Sequence, residues 1–202
     1  MFSHDSIRFD LLRQRAFNLR WATVPEGVIP LTAADPDFPC APEIREAVIE
    51  YTQSGYLSYG PPEGLADFRT ALQHYFLSNR QYSLPIDQLL PIDSAAFGIQ
   101  VVCKSLLSPG DEVIATDDLY GGSYRMFTKV FAKYGIVFHF VDMHDFDALE
   151  RTVNAKTKML WVETPTNPMM KIIDIEKCVE FAKKHKYIIL FLDEMNSAAP
   201  SV

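Results

Sequence analysis

Polar side chains stand where three apolar segments of the sequence end. The segments EVIAT, KMLWVE and YIILFLD lead into residues 117–122 (DDLYGG), residues 163–168 (ETPTNP) and Asp193. In open parallel sheets, ligands bind beyond the carboxyl ends of the strands. If these segments are neighbouring parallel strands, their carboxylates, amide and aromatic ring form a ligand site at one edge of the sheet.

A fourth candidate is the turn at residues 93–96 (DSAA), which begins a predicted helix. The first backbone N–H groups of a helix have no acceptor within the helix, and they favour a bound anion. Ser94, Ala95 and Ala96 are small enough to let an anion approach these groups. The alternative is an ordinary helix start.

Several familiar chemistries lack their motifs in this chain. There is no glycine-rich dinucleotide pattern, no Walker A loop and no GxSxG elbow, and the five histidines lack metal-ligand spacing. The formal net charge of −7 disfavours a nucleic-acid partner. No apolar run approaches the roughly 20 residues of a membrane span, and the start MFSHDSIRFD lacks a signal-peptide pattern. We expect no membrane partner and no metal.

The cysteine content points to a reducing compartment. Cys40, Cys103 and Cys178 are isolated in sequence and odd in number. That pattern disfavours a disulfide framework or a zinc site, and it favours a cytoplasmic location.

Strand and helix patterns alternate after Leu90. We expect strands at EVIAT, IVFHFV, KMLWVE and YIILFLD, and helices near residues 94–107, 124–134, 146–153 and 174–184. Two further helices are expected from Pro42 to Gly55 and over residues 65–76. Strands that alternate with helices imply an α/β fold, in which helices cover both faces of a mainly parallel sheet.

Residues 1–40 form an N-terminal arm rich in aromatic residues and prolines. We expect the arm to pack on something, because it carries Phe2, Phe9, Phe17, Trp21 and Phe38. The acidic pair in ADPDFP is interpreted as part of this packing.

Residues 109–193 resemble a known enzyme family. The stretches PGDEVIATDDLYGGSYRMF and VETPTNPMMKIIDIEKC, followed by an apolar strand ending in Asp193, resemble the Cys/Met-metabolism family of pyridoxal-phosphate enzymes, which contains the cystathionine synthases and lyases. Residues 1–108 look different. PLTAADPDFP, YLSYGPPEGLADFR and DSAAFGIQVVCKSLLSPGDEVI resemble class I aminotransferases and related C–S lyases. Both groups share fold type I, so the resemblance implies a three-layer sandwich with a mainly parallel sheet.

The resemblance implies how three residues would hold pyridoxal 5′-phosphate. Asp193 matches the carboxylate that keeps a proton on the pyridine nitrogen, Asn167 the amide that donates to the phenolic oxygen, and Tyr120 the aromatic ring that stacks on the pyridine. The alternatives are a capping aspartate, a turn asparagine and a core tyrosine.

Other cofactor-binding residues follow from the same resemblance. Ser94, Ala95 and Ala96 would offer N–H groups to the phosphate. Tyr59 matches a tyrosine that reaches the phosphate of a neighbouring subunit, which implies a homodimer or homotetramer. Glu163 is expected either to support the site from behind or to be a solvated loop carboxylate.

The resemblance also implies a lysine beyond the strand-end aspartate that forms a Schiff base with the cofactor. No lysine follows Asp193 in this sequence, and Lys171 is interpreted as a surface residue. We therefore expect residues 41–202 to be an incomplete cofactor-binding large domain without a C-terminal small domain. We assign no catalytic residue, and we expect no sustained turnover by this chain alone.

The expected function is that of a pyridoxal-phosphate enzyme of amino-acid metabolism. A small amino acid is the expected substrate, and a sulfur amino-acid lyase or synthase of transsulfuration is favoured. A class I aminotransferase and a non-catalytic cofactor-binding or interaction fragment are the alternatives.

Overall fold

The computed structural model describes residues 3–14, 20–32, 36–186 and 188–192. The chain divides into two compact units, Met1–Gly60 and Pro61–Val202. The sequence pattern places the boundary at residue 40 instead. The two divisions differ over residues 41–60, which include the helix that begins at Pro42. None of the helices in the described ranges has both the length and the apolar character that a bilayer crossing requires.

The second unit is built on a parallel sheet of four strands. In chain order they are β1 (Glu112–Thr116), β2 (Val137–Val141), β3 (Thr157–Glu163) and β4 (Ile188–Leu192). Their order in the sheet is β2-β1-β3-β4, and all pairs are parallel. The predicted α/β fold with a parallel sheet is confirmed. All four apolar segments form strands within two residues of the predicted limits.

Helices cover both faces of this sheet. The second unit contains α3 (Ala66–Arg80), α4 (Ala95–Leu106), α5 (Gly121–Arg125), α6 (Phe146–Thr152) and α7 (Ile175–His185). On β3, Met159 and Trp161 join one apolar cluster with residues of α4, whereas Leu160 and Val162 join a second cluster with residues of α6 and α7. Alternate residues of a strand point to opposite faces, so a strand buried on both sides reads as a continuous apolar run.

The predicted helix over residues 124–134 is irregular. After α5 the chain forms a π-helical turn, Met126–Val130, and then a 3₁₀ turn, Phe131–Tyr134. Gly135 ends it with a φ of 79°, a left-handed conformation that favours glycine. The apolar stripe still packs as predicted: the Phe127 ring stacks on Phe138 at 4.5 Å between centroids.

The first unit contains more regular structure than the sequence predicts. A 3₁₀ turn (His4–Ser6) and a short helix, α1 (Phe9–Gln14), precede α2 (Pro42–Gln53). Trp21 is buried, and its ring meets Phe9 edge-on at 4.9 Å. The Trp21 indole N–H and the Arg20 guanidinium both donate to the Asp37 carboxylate. The described part of the arm therefore packs on itself around Trp21; Phe2, Phe17 and Asp35 lie outside the described residues.

Candidate functional site

The carboxyl ends of β1, β3 and β4 lie side by side. The Thr116 hydroxyl, fully buried at the end of β1, donates to the Trp161 carbonyl and accepts the backbone N–H of Glu163. On the other side of β3, Glu163 pairs with Leu192, the last described residue of β4. The three strands thus end level with one another, as a shared ligand site at this edge requires.

Glu163 is buried at the end of β3 and holds the loop that follows β1. It has no solvent exposure, and its Oε1 accepts the backbone N–H of Tyr120 at 2.8 Å. A carboxylate enclosed in this way needs hydrogen-bond donors from the protein, and the Tyr120 amide is one of them. The sequence left open the alternative that Glu163 is a solvated loop carboxylate, and its burial rules that alternative out.

Tyr120 is half exposed rather than a core residue. The residue is 52% exposed, and its ring lies against Gly122. A Cβ atom added to Gly122 would stand 2.4 Å from the ring carbon Cε1. The two glycines after Tyr120 therefore have different surroundings, since nothing lies within 4 Å of a Cβ added to Gly121. The lack of a side chain at Gly122 lets the ring lie close to the backbone.

The loop after β3, residues 164–171, is tied to Asp118. Asp118 Oδ2 accepts from the Thr166 hydroxyl at 2.5 Å and from the Met169 backbone N–H at 2.9 Å. Asn167 lies between these two donors and is partly buried. Its peptide bond to Pro168 is cis, as is the bond between Thr164 and Pro165. The amide that the resemblance assigns to the cofactor is thus carried on a loop fixed from both sides.

Lys171 joins the same loop to β1 and β2. Its ammonium group donates to Asp117 at 2.9 Å and to Asp142 at 3.1 Å, and the side chain is 28% exposed. These carboxylates raise the pKa of Lys171, the hydrogen bond to Asp117 contributing most. Lys171 is thus a partly exposed residue whose ammonium group is held in two ion pairs.

His144 joins this polar cluster just beyond the carboxyl end of β2. Its Nδ1 is 2.8 Å from Asp142 Oδ1, and its Nε2 is 3.0 Å from the Ile172 carbonyl oxygen. The hydrogen bond to Asp142 is the largest cause of the raised pKa of His144. In return, the backbone N–H and ring of His144, together with Lys171, lower the pKa of Asp142 to about 2.

Ser94 caps α4, the helix predicted to receive a phosphate. Its hydroxyl oxygen accepts the Phe97 backbone N–H at 3.2 Å, and Ser94, Ala95 and Ala96 are all exposed. Because the first amides of a helix have no acceptor within it, those of Ala95 and Ala96 are available at this end. α4 packs against α5, which begins directly after Tyr120.

The structure therefore brings several of the predicted residues together. Tyr120 and Asn167 lie on two loops bonded to each other, Glu163 ends β3, and Ser94, Ala95 and Ala96 begin a helix of the same unit. Tyr59 belongs to the first unit and is fully exposed. Asp193 lies outside the described residues; the residue before it, Leu192, ends β4 beside Glu163.

Three contributors were missed from the sequence. Asp118, Thr166 and Lys171 contact the loop that carries Asn167 or belong to it. The signal for Asp118 was its position directly after an apolar strand. In the described ranges, no three His, Cys, Asp or Glu side chains converge as a metal site.

Comparison with known proteins decides the family. A model of the Cys/Met metabolism PLP-dependent enzymes matches residues 88–201, more than half of the chain. The chain belongs to this family. It is 32% identical over 174 residues to cystathionine gamma-lyase of Sus scrofa, which covers 86% of this chain and 39% of the pig protein. It is 51% identical over 84 residues to cystathionine beta-lyase of Coxiella burnetii, covering 41% of this chain and 22% of that protein. The chain spans less than half the length of the curated relatives it matches.

The solved structures agree on the fold. A Methanococcus jannaschii protein, described as similar in its active site to kynurenine aminotransferases, superposes with a TM-score of 0.69 over 79% of this chain and 42% of its own. At 21% sequence identity this likeness shows the fold alone. The predicted kinship with fold type I enzymes is confirmed, and the expected cofactor, pyridoxal phosphate, follows from the family.

The residues at the strand ends fit that cofactor. Pyridoxal phosphate is a flat aromatic ring that carries a phosphate and hydrogen-bonding groups at its rim. A half-exposed aromatic ring that lies close to its own backbone, a neighbouring amide and a capped helix start supply the matching chemistry.

Proposed function

We propose that this chain binds pyridoxal phosphate where β1, β3 and β4 end, and that it serves a sulfur amino-acid lyase or synthase of the cystathionine type. The observation that carries this proposal is the pair of loops bonded to each other, one bearing Tyr120 and the other Asn167. The names of the relatives favour transsulfuration, because they are cystathionine lyases and synthases.

In this proposal, each residue acts on a different part of the cofactor. Pyridoxal phosphate supplies an electron sink that stabilises negative charge at the Cα atom of an amino acid. Tyr120 stacks on the pyridine ring and fixes its plane. Asn167 donates to the phenolic oxygen, and Asp193 holds the proton on the ring nitrogen through a charge-assisted hydrogen bond. Glu163 acts behind Tyr120 by holding its backbone.

The phosphate is assigned to the start of α4. The free amides of Ala95 and Ala96 face an anion with the positive end of the helix dipole. The Ser94 oxygen accepts a backbone N–H, so its own proton remains free to be donated to a phosphate oxygen.

Assembly, substrate and location form part of the same proposal. A second copy of the chain would bring its Tyr59 to the phosphate, and the complete exposure of this tyrosine is consistent with that role. The substrate is a small amino acid, and the location is the cytoplasm, where free thiols such as Cys103 and Cys178 persist. Sedimentation of the chain with and without the cofactor tests the proposed homodimer or homotetramer.

The binding site is tested with 4′-deoxypyridoxine 5′-phosphate. This probe lacks the aldehyde, so it cannot react with surface lysines and reports the non-covalent site alone. We expect the full chain to bind it and to induce circular dichroism in its pyridine band. Removing the ring stack with Tyr120→Ala should weaken binding roughly 2- to 12-fold, and Asn167→Ala and Asp193→Asn should also weaken it.

A matched control distinguishes a site effect from lost stability. Asp145 caps α6 by accepting the Ala148 backbone N–H at 2.8 Å, outside the two loops. Asp145→Ala should lower stability without changing probe affinity. If all three site variants bind the probe with the affinity of the wild-type chain, or if the wild-type chain does not bind it, the proposed function is overturned.

A further inference from the structure

One carboxylate holds the Asn167 loop on both sides of the asparagine. Asp118 Oδ2 accepts from the residue before Asn167, through the Thr166 hydroxyl, and from Met169 two residues after it. Thr166 is fully buried, and Asp118 is partly buried. Two hydrogen bonds on one oxygen fix both the position and the direction of the short segment between them.

The loop is also closed on itself at these points. The Thr166 hydroxyl oxygen accepts the Lys171 backbone N–H at 2.8 Å, and the Thr166 backbone N–H donates to the Lys171 carbonyl at 3.0 Å. The Met170 backbone N–H donates to the Thr166 carbonyl. Asp118 therefore holds a closed loop rather than an extended segment, so its two hydrogen bonds fix the position of the whole loop.

A second carboxylate makes the same kind of contact in the opposite direction. Glu163, at the start of the β3 loop, accepts the backbone N–H of Tyr120, and Tyr120 lies two residues after Asp118. The loop that follows β1 thus gives a carboxylate to the β3 loop and receives one from β3. Neither loop can shift far without straining a bond to the other.

We propose that Asp118 is a positioning residue that sets the Asn167 amide relative to the Tyr120 ring and itself touches no cofactor. The Lys171 ammonium group donates to Asp117 and Asp142. The Asp118 carboxylate instead accepts the hydrogen bonds that hold the Asn167 loop. The inference rests on the proposed function for what Asn167 and Tyr120 bind, whereas the coupling between the two loops can be observed without any ligand.

The test compares Asp118→Ala and Asp118→Asn with Asp145→Ala in the full chain. Hydrogen exchange is measured without ligand at the amides of Met169 and Tyr120, and then 4′-deoxypyridoxine 5′-phosphate is titrated. Asp118→Ala should speed exchange at both amides and weaken probe binding about tenfold, because two bonds to a charged acceptor are lost. Asp118→Asn keeps an oxygen acceptor and should restore most of the affinity and of the induced circular dichroism.

The control loses a bond of the same chemical kind. Asp145→Ala removes one carboxylate-to-amide bond at α6, and it should leave both exchange rates and the affinity unchanged. A general loss of stability would instead affect the two alanine variants alike and would not be rescued by asparagine.

Each remaining outcome decides against one proposal or the other. If Asp118→Ala binds the probe like wild type, or if exchange at Tyr120 does not change, the positioning role is overturned. If the wild-type chain binds no probe, the proposed function fails, and exchange at Tyr120 still decides whether Asp118 couples the loops. If Asp118→Ala does not fold, Thr166→Val, which removes one of the two bonds to Asp118, decides through the same readings, and a wild-type profile in that variant overturns the inference.

Discussion

The backbone N–H of Tyr120 donates to the buried carboxylate of Glu163 across 2.8 Å, although 43 residues separate them in the chain. Because β1 and β3 are neighbours in the sheet, the residues that follow β1 reach the end of β3. The bond supplies a donor to an enclosed carboxylate and sets the backbone from which the Tyr120 ring projects. The Tyr120 amide thus links the end of β3 to the loop that carries a candidate cofactor-binding ring.

Replacing Glu163 tests the strength of this link. Glu163→Ala leaves the Tyr120 amide without its acceptor and should lower the free energy of unfolding by about 1–3 kcal/mol in urea titrations. Glu163→Gln keeps an amide oxygen near the same position and should cost less. Glu150→Ala is the control, since Glu150 pairs with Lys184 and His185 on the exposed surface and should matter little. An equal loss in Glu163→Ala and Glu150→Ala would contradict the link.

The buried hydroxyl of Thr166 should contribute through its two bonds. Thr166→Val keeps the shape of the side chain, but it removes the donor to Asp118 and the acceptor of the Lys171 amide. We expect a loss of roughly 1–3 kcal/mol in the free energy of unfolding. Thr152→Val is the matched control, because the Thr152 hydroxyl donates only to a carbonyl within its own helix. Equal losses in the two variants would show that the loop bonds have no special weight.

Patterns that depend on near neighbours in sequence were sufficient to locate the four strands. Residues 159–162 of β3 form an uninterrupted apolar run because helices cover both faces, and that run can be read from the sequence itself. The π-helical turn at Met126–Val130 was not predictable, since it keeps the apolar stripe and changes only the backbone pairing. Local patterns therefore predicted where the elements lie but not their detailed hydrogen bonding.

The site shows the same division. Tyr120 and Asn167 could be named from motifs, whereas the role of Asp118 depends on a partner 48 residues away. Which of two adjacent aspartates turns toward Thr166 and which toward Lys171 is decided by the way the two loops meet. No spacing rule encodes that choice, because β2 and α6 intervene between the loops.

The three cysteines should differ sharply in reactivity toward a thiol reagent. Burial raises the pKa of Cys103 to about 12 and that of Cys178 to about 11, whereas Cys40 is exposed. Because the thiolate is the nucleophile, we expect one thiol per native chain to react rapidly with Ellman's reagent at pH 8, and all three to react after unfolding. Cys40→Ser should abolish the rapid phase. A rapid phase of two or three thiols would contradict the packing of α4 and α7.

Asp142 and His144 should give stability a specific pH dependence. The pKa of Asp142 is lowered from 3.8 to about 2, so its contribution is present above about pH 4 and is lost as the pH falls toward 2. The pKa of His144 is raised from 6.5, so its contribution is complete below 6.5 and is lost as the pH rises through the raised value. Both contributions coincide between roughly pH 4 and pH 6.5.

Asp142→Asn tests this window directly. The difference in unfolding free energy between wild type and Asp142→Asn should be largest between about pH 4 and 6.5, and below about 1 kcal/mol because both side chains are substantially exposed. By NMR, the pKa of His144 should fall in the variant, where the Ile172 carbonyl remains its partner and Lys171 opposes its charge. Asp145→Asn is the control: the Asp145 carboxylate accepts the Ala148 backbone N–H, so the variant should leave the pKa of His144 unchanged. If the pKa of His144 is not raised in the wild-type chain, the ring does not keep its hydrogen bond to Asp142 in solution.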